Sequence, residues 1–373
     1  MMAWRLGLLL FLLLGLSACA RNQPTAPART PVLIPLPTPA PATPTQAPTP
    51  APTPRPASTP APAPTRAPAP EPLPIFQTDL IQRGSKPVTY LDDTCFYLRQ
   101  RWNPNNAQPG TIIVPIMYHR VKEKAGERGV SNAYFRQTMR EAHRLGYQTI
   151  TAQQAADFLE HNAKIPRRSL MLFVDDRRVP VLMNHFMPFL KKYNWTVISS
   201  WIIANTDNIP HLWERIEAAH ATGHVDVQSH GLRHLYILPS TPKQKIIEEL
   251  NGPIPYFEEH FGYRPVAFIW PGGNLTPYAV RVAREAGYRI AFTIFPNGPI
   301  LFNWVPLRKN ERAIGDPLLL LPRYHADSVK SQLAIAVEIS DQARADALAR
   351  YPQEAAWYQQ NCGGELPAPS WVH

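Results

Sequence analysis

Cysteine is scarce, with three in 373 residues, enough for one disulfide at most. Long apolar runs are missing as well. The run from Leu6 to Leu16, behind Arg5, falls short of the roughly 20 residues a membrane span needs, which excludes a spanning helix there and leaves a cleaved signal segment. Large apolar side chains are nearly absent between Leu36 and Pro74, so that stretch has nothing with which to build a core. The formal net charge is +10, yet no basic patch interleaved with aromatics occurs, which argues against a nucleic-acid partner.

Proline, by contrast, is abundant. Twenty of its 43 copies are packed between residues 24 and 74, in loose Ala-Pro-Thr-Pro repeats that favour a semi-extended polyproline spacer over a domain. Ahead of them, Leu16-Ser17-Ala18-Cys19 resembles the lipobox of bacterial lipoproteins. That resemblance implies cleavage before Cys19, a lipid on its thiol, and a protein held on the extracytoplasmic face of a bacterial cell membrane; a plain secretory signal with an incidental cysteine is the alternative. The expected organisation is a signal at 1–18, a disordered linker at 19–74, an N-terminal extension packed on the main domain at 75–110, the main domain at 111–327 and a helical tail at 328–373. Cys95 and Cys362 remain near the two ends of the globular part, and outside the cytoplasm an even pair reads as a disulfide rather than two free thiols.

From residue 111 the chain alternates strand and helix signals. Thr111 to Met117 reads as a strand, and Ser131 can cap a helix whose Phe135, Met139, Ala142 and Leu145 recur at helical spacing. Thr151 caps the next helix. Strands follow at Leu170–Asp176, Trp195–Ile203, His224–Gln228, Val266–Trp270 and Tyr288–Thr293, with helices between them, one of them reading continuously from Lys243 to Phe261. Many β-α units with short links and no open-sheet switch predict an α/β fold, a barrel with its site at the C-terminal ends of the strands.

Two short segments carry the chemistry. The apolar run Met171-Leu172-Phe173-Val174 stops at Asp175-Asp176, two adjacent carboxylates that persist at a buried edge when a cation or a proton separates their roles. After another strand, Ser229 to His234 (SHGLRH) sets two imidazoles four residues apart, and one helical turn or a tight loop would aim both at one point. Together they form an Asp-His-His set with open positions for water.

With PIMYHRV at Pro115–Val121, FVDD at Phe173–Asp176, SHGLRH, FIWPGG at Phe268–Gly273 and REAGYRIAFT at Arg284–Thr293 in this order, the chain resembles the polysaccharide deacetylases, the NodB homology or carbohydrate esterase family 4 group. The resemblance covers about residues 113–324. It implies a distorted (β/α) barrel of about seven parallel strands that hydrolyses N-acetyl groups on an extracytoplasmic N-acetylglucosamine polysaccharide. It implies a divalent metal, zinc or else cobalt or nickel, on Asp176, His230 and His234, with Asp175 as general base. Backbone N–H groups around Pro271, Gly272 and Gly273 would hold the oxyanion, and His119 would be the general acid, with His325 its rival. The chain departs from the family's Thr-Phe-Asp-Asp-Gly by reading Phe173-Val174-Asp175-Asp176-Arg177, and it lacks the usual arginine before Pro271. Those departures leave a second expectation open, a weak or inactive glycan-binding protein of the same fold.

Overall fold

The computed structural model describes residues 71–124 and 129–369, so the expected signal, Cys19 and nearly all of the proline-rich stretch lie outside the described residues. Six parallel strands run side by side in chain order: β1 (Ile112–Tyr118), β2 (Arg168–Asp175), β3 (Val197–Trp201), β4 (Val225–Ser229), β5 (Ala267–Ile269) and β6 (Ile290–Phe292). A short seventh, β7 (Tyr324–His325), pairs in parallel with β1, Tyr324 opposite Ile116 and His325 opposite Met117. Just before it, Leu321 bridges in parallel to Phe292 of β6. The segment 321–325 therefore touches both ends of the six-strand run, and the sheet is curled rather than open.

Strand sequences explain the curl. All seven residues of β1 are buried, and so are the last seven of β2, as expected for parallel strands covered on both faces. Alternate residues serve different cores. Ile112, Val114, Ile116, Leu170, Leu172 and Val174 pack outward under helices, while Ile113, Met171 and Phe173 join the other cluster, in which Phe173 meets Phe292 with ring centroids 4.7 Å apart. A one-residue slip would exchange the two sets, so the pairing fixes which face of the sheet each residue of β2, Asp175 included, is turned to.

Helix ends match their residues. Ser131 caps Asn132–Arg144, and Thr151 with Gln154 forms a capping box on Ala152–His161. The single helix expected from Lys243 to Phe261 is two, Lys243–Asn251 and Pro253–Phe261. Gly252 and the N1 proline after it restart the chain there. Ser85–Val88, read as irregular, is a strand antiparallel to Val305–Arg308. Both are short and follow no long alternating pattern, so little in the sequence marks them.

Cys95, in the helix Thr94–Trp102, is bonded to Cys362, the last residue of the long helix Val329–Cys362, with the Cα atoms 5.6 Å apart. Beside the bridge, Trp102 stacks edge-on to Tyr351 and donates its indole N–H to Glu354 at 2.6 Å. Reduction is expected to lower unfolding free energy by about 2–5 kcal/mol. Urea melts with and without reductant measure this, and coincident midpoints would contradict it.

Candidate active site

Asp175 is the last residue of β2, and its position rests on the neighbouring strands. Its Cα pairs with that of Ser200 on β3, whose hydroxyl donates to Asp175 Oδ1 at 2.7 Å. Arg323, in the segment that closes the sheet, donates through Nη1 to both carboxylate oxygens at 2.9 and 3.0 Å and through Nε to the Thr293 carbonyl at 2.8 Å. The guanidinium also lies over the Phe173 ring, 5.2 Å from its centroid. Burial alone would raise the Asp175 carboxyl, but the Arg323 guanidinium, the largest opposing influence, outweighs it and holds it well below the usual carboxylate range. It therefore stays ionised, the state a general base requires. A carboxylate held so low is also a weak base, suited to a nucleophile whose proton has been made acidic.

Asp176 turns away from the strand with φ of 67°, and His234 has φ of 60°, so two of the three expected ligands occupy left-handed backbone that non-glycine residues rarely adopt. Arg177 does not. The glycine usual at that place is thus not needed for a positive φ in this chain, because the preceding aspartate takes it.

Asp176, His230 and His234 each offer a ligand atom, and these atoms lie within 4.8 Å of one another, close enough for one ion to gather through small side-chain rotations. His230 uses Nδ1 on the Ile269 carbonyl at 2.8 Å, which leaves Nε2 for a metal. Burial pushes the His230 imidazole below its ordinary pKa, so it is neutral and ready to ligate. One carboxylate and two imidazoles form a donor set that suits zinc and its neighbours.

The two histidines sit on a loop, not on a helical turn. Its conformation is held by buried Glu249, whose carboxylate accepts from the backbone N–H of Arg233 and of Leu235, both at 2.9 Å. A Cβ at Gly231 would meet Glu249 Oε1 at 2.1 Å, so only glycine admits this carboxylate. Glu249→Ala leaves two backbone donors without their acceptor and is expected to weaken metal binding about 10- to 100-fold, as loss of an outer supporting group does. A metal titration of that variant checks this, and unchanged affinity would contradict it.

A cavity of about 210 Å³ joins these groups. Asp175, Asp176, His119, His230, His234 and Arg323 line it, with His325, Gly272, Tyr236, Ile294 and Met117. His119 Nε2 lies 4.0 Å from Asp175 Oδ2, and His325 arrives on the strand beside it, so both candidates for the acid reach the cavity. The expected oxyanion donors narrow. Pro271 has no N–H, and the Gly273 N–H is spent on the Trp270 carbonyl at 2.9 Å, which leaves Gly272, the member of the three that lines the cavity.

Sequence reasoning missed Arg323 and Tyr236. The arginine absent before Pro271 is matched by a guanidinium delivered 148 residues after its carboxylate partner, which no local pattern signals. Tyr236, two residues beyond His234, is 43% exposed at the cavity rim, where an aromatic face can stack on a sugar.

Residues 162–291 match the family model described as Polysaccharide deacetylase. YxkH of Bacillus subtilis (strain 168), named for the same family, is 24% identical over 205 residues, covering 55% of this chain and 70% of that protein. Among solved structures, the Streptococcus pyogenes deacetylase PplD in complex with acetate superposes with a TM-score of 0.50 at 18% identity, covering 60% of this chain and 98% of that one. IcaB from Ammonifex degensii gives a TM-score of 0.50 at 22% identity, over 61% and 97% of the two chains. The structural likenesses establish the fold, and the family match, over the segment that holds both the Asp- and His-bearing strands, marks residues 162–291 as part of a polysaccharide deacetylase domain, a hydrolase class.

Proposed function

We propose that the chain is a metal-dependent N-deacetylase of an N-acetylglucosamine-containing polysaccharide, working outside the cytoplasm from a lipid anchor at Cys19. One observation carries the reading: the ligand atoms of Asp176, His230 and His234 converge beside a carboxylate, Asp175, that is fixed, ionised and open to the same cavity. A divalent metal on those three residues would polarise the amide carbonyl and acidify water. The protein's own groups do the rest. Asp175 takes the water proton as its oxygen bonds to the acetyl carbon. Gly272, which lines the cavity, would offer its N–H to the carbonyl oxygen as charge develops there, and His119 gives a proton to the nitrogen as the carbon–nitrogen bond breaks, leaving acetate and an amine.

The anchor and the envelope location rest on the lipobox-like residues 16–19 and on the Cys95–Cys362 bridge, which suits an oxidising compartment. Among the described residues no helix is long and apolar enough to cross a membrane. The expected domain limits at 18, 74, 110 and 327 belong to the same proposal.

Acetate release from chitin oligomers, poly-N-acetylglucosamine and peptidoglycan, with and without a chelator, tests the activity. Chelator-sensitive release supports it, and no release from any of the three would contradict it. The acid is tested in the same assay. His119→Ala is expected to keep its metal and lose about 10²- to 10⁴-fold in turnover. Full activity there, with loss in His325→Ala instead, would reverse the assignment.

A further inference from the structure

A second pocket, of about 400 Å³, opens beside the hydrolytic cavity and shares Asp176 and His234 with it. Three guanidinium groups, Arg177, Arg178 and Arg233, line it. Arg178 reaches Asp176 Oδ2 at 3.3 Å, but its Nε is buried and without a hydrogen-bond partner. Arg177 donates to the Ala204 carbonyl, and among the described residues neither it nor Arg233 forms a close ion pair, although Arg177 feels the charge of Asp176 and Arg233 that of Glu249.

This arrangement has a cost that the hydrolytic chemistry does not explain. Three like charges around one carboxylate repel each other, and they also oppose a dication on Asp176, His230 and His234. A neutral sugar needs hydrogen bonds but no cluster of cations. An anionic group in the pocket would offset the repulsion and engage the buried Arg178 Nε, because guanidinium forks match the planar oxygens of carboxylate and phosphate. The shared residues place such a group close to the scissile bond.

We infer that Arg177, Arg178 and Arg233 form an anion subsite, fitted to a carboxylate or phosphate carried by the glycan within one sugar of the N-acetyl group that is cleaved. The inference rests on the deacetylase reading and adds a substrate class to it. Arg177, standing where the family has glycine, is then the residue that brings charge to this site.

The test compares kcat/KM of the full chain on three probes: neutral chitotetraose, an N-acetylglucosamine oligomer containing N-acetylmuramic acid, and a phosphorylated N-acetylglucosamine oligomer. At least one anionic probe is expected to exceed the neutral one by about tenfold or more, the scale of one charge-assisted hydrogen bond, and the advantage should shrink as salt rises. Whichever anionic probe leads identifies the source of the charge. Arg233→Gln, at an exposed position that folding tolerates, should cut the anionic-to-neutral ratio several-fold, and Arg233→Lys should restore part of it. Equal kcat/KM on all three probes, or a ratio unchanged in Arg233→Gln, would overturn the inference. If no probe is deacetylated, the hydrolase reading fails, and calorimetric titration of the same oligosaccharides still decides the subsite. Tighter binding of an anionic probe, lost in Arg233→Gln, supports it; equal affinities overturn it.

Discussion

Asp175→Asn is expected to yield a folded protein that releases acetate about 10²- to 10⁴-fold more slowly than the parent, the span a positioned general base contributes. The amide keeps the size of the carboxylate and an oxygen that can accept from Ser200 and Arg323, the partners that fix Asp175, although it leaves the buried Arg323 charge uncompensated and so lowers stability as well. It cannot accept the proton of water. The loss should therefore fall on kcat with KM little changed, because Asp175 acts on the nucleophile and not on the glycan. Acetate release across substrate concentrations measures both, and a variant within a few-fold of the parent would remove Asp175 from the chemistry.

Arg323→Met carries the second large effect, this time on stability. The side chain is wholly buried, and its partner carboxylate is almost so. A buried ion pair contributes little net stability against an apolar replacement of both members, but removing one member leaves the other charge without compensation, at a cost of about 3–5 kcal/mol. Methionine fills part of the volume and offers no donor to Asp175 or to the Thr293 carbonyl. Lysine is not expected to rescue it, since one ammonium cannot reproduce a fork that spans both carboxylate oxygens and a carbonyl. Urea unfolding of the variant decides the matter. A change below about 1 kcal/mol, the size expected of an exposed pair, would show that the clamp is not formed in solution.

The contrast between Asp175 and Arg323 shows how far the sequence can be read. Met171 to Asp176 was legible because a strand buried on both faces announces its end with the first charge, and the end of such a strand is where a ligand sits. SHGLRH was legible because two imidazoles after a strand are informative whether helix or loop presents them. The loop itself was not, since it depends on Glu249, a residue on the following helix that looks like an ordinary surface carboxylate in sequence. Arg323 stayed hidden for a stronger reason of the same kind. Its partner comes from a different strand, and the two meet only because segment 321–325 closes the sheet between β6 and β1. Gly273 reads as an oxyanion donor until the turn is seen to use its N–H internally. Arg177 reads as a loss because a glycine is missing, whereas the structure puts the unusual φ on Asp176 and gives the arginine a pocket.

The division of labour between the two adjacent carboxylates is the centre of this account, and metal content tests it most directly. Atomic emission on dialysed, folded protein should find about one divalent ion per chain in the parent and in Asp175→Asn, because Asp175 is not a ligand. Asp176→Ala should fall well below that, as should His230→Ala and His234→Ala, each of which removes one of three donors. Equal metal content in Asp175→Asn and Asp176→Ala would contradict the assignment and favour a glycan-binding protein that keeps the fold without the hydrolytic metal.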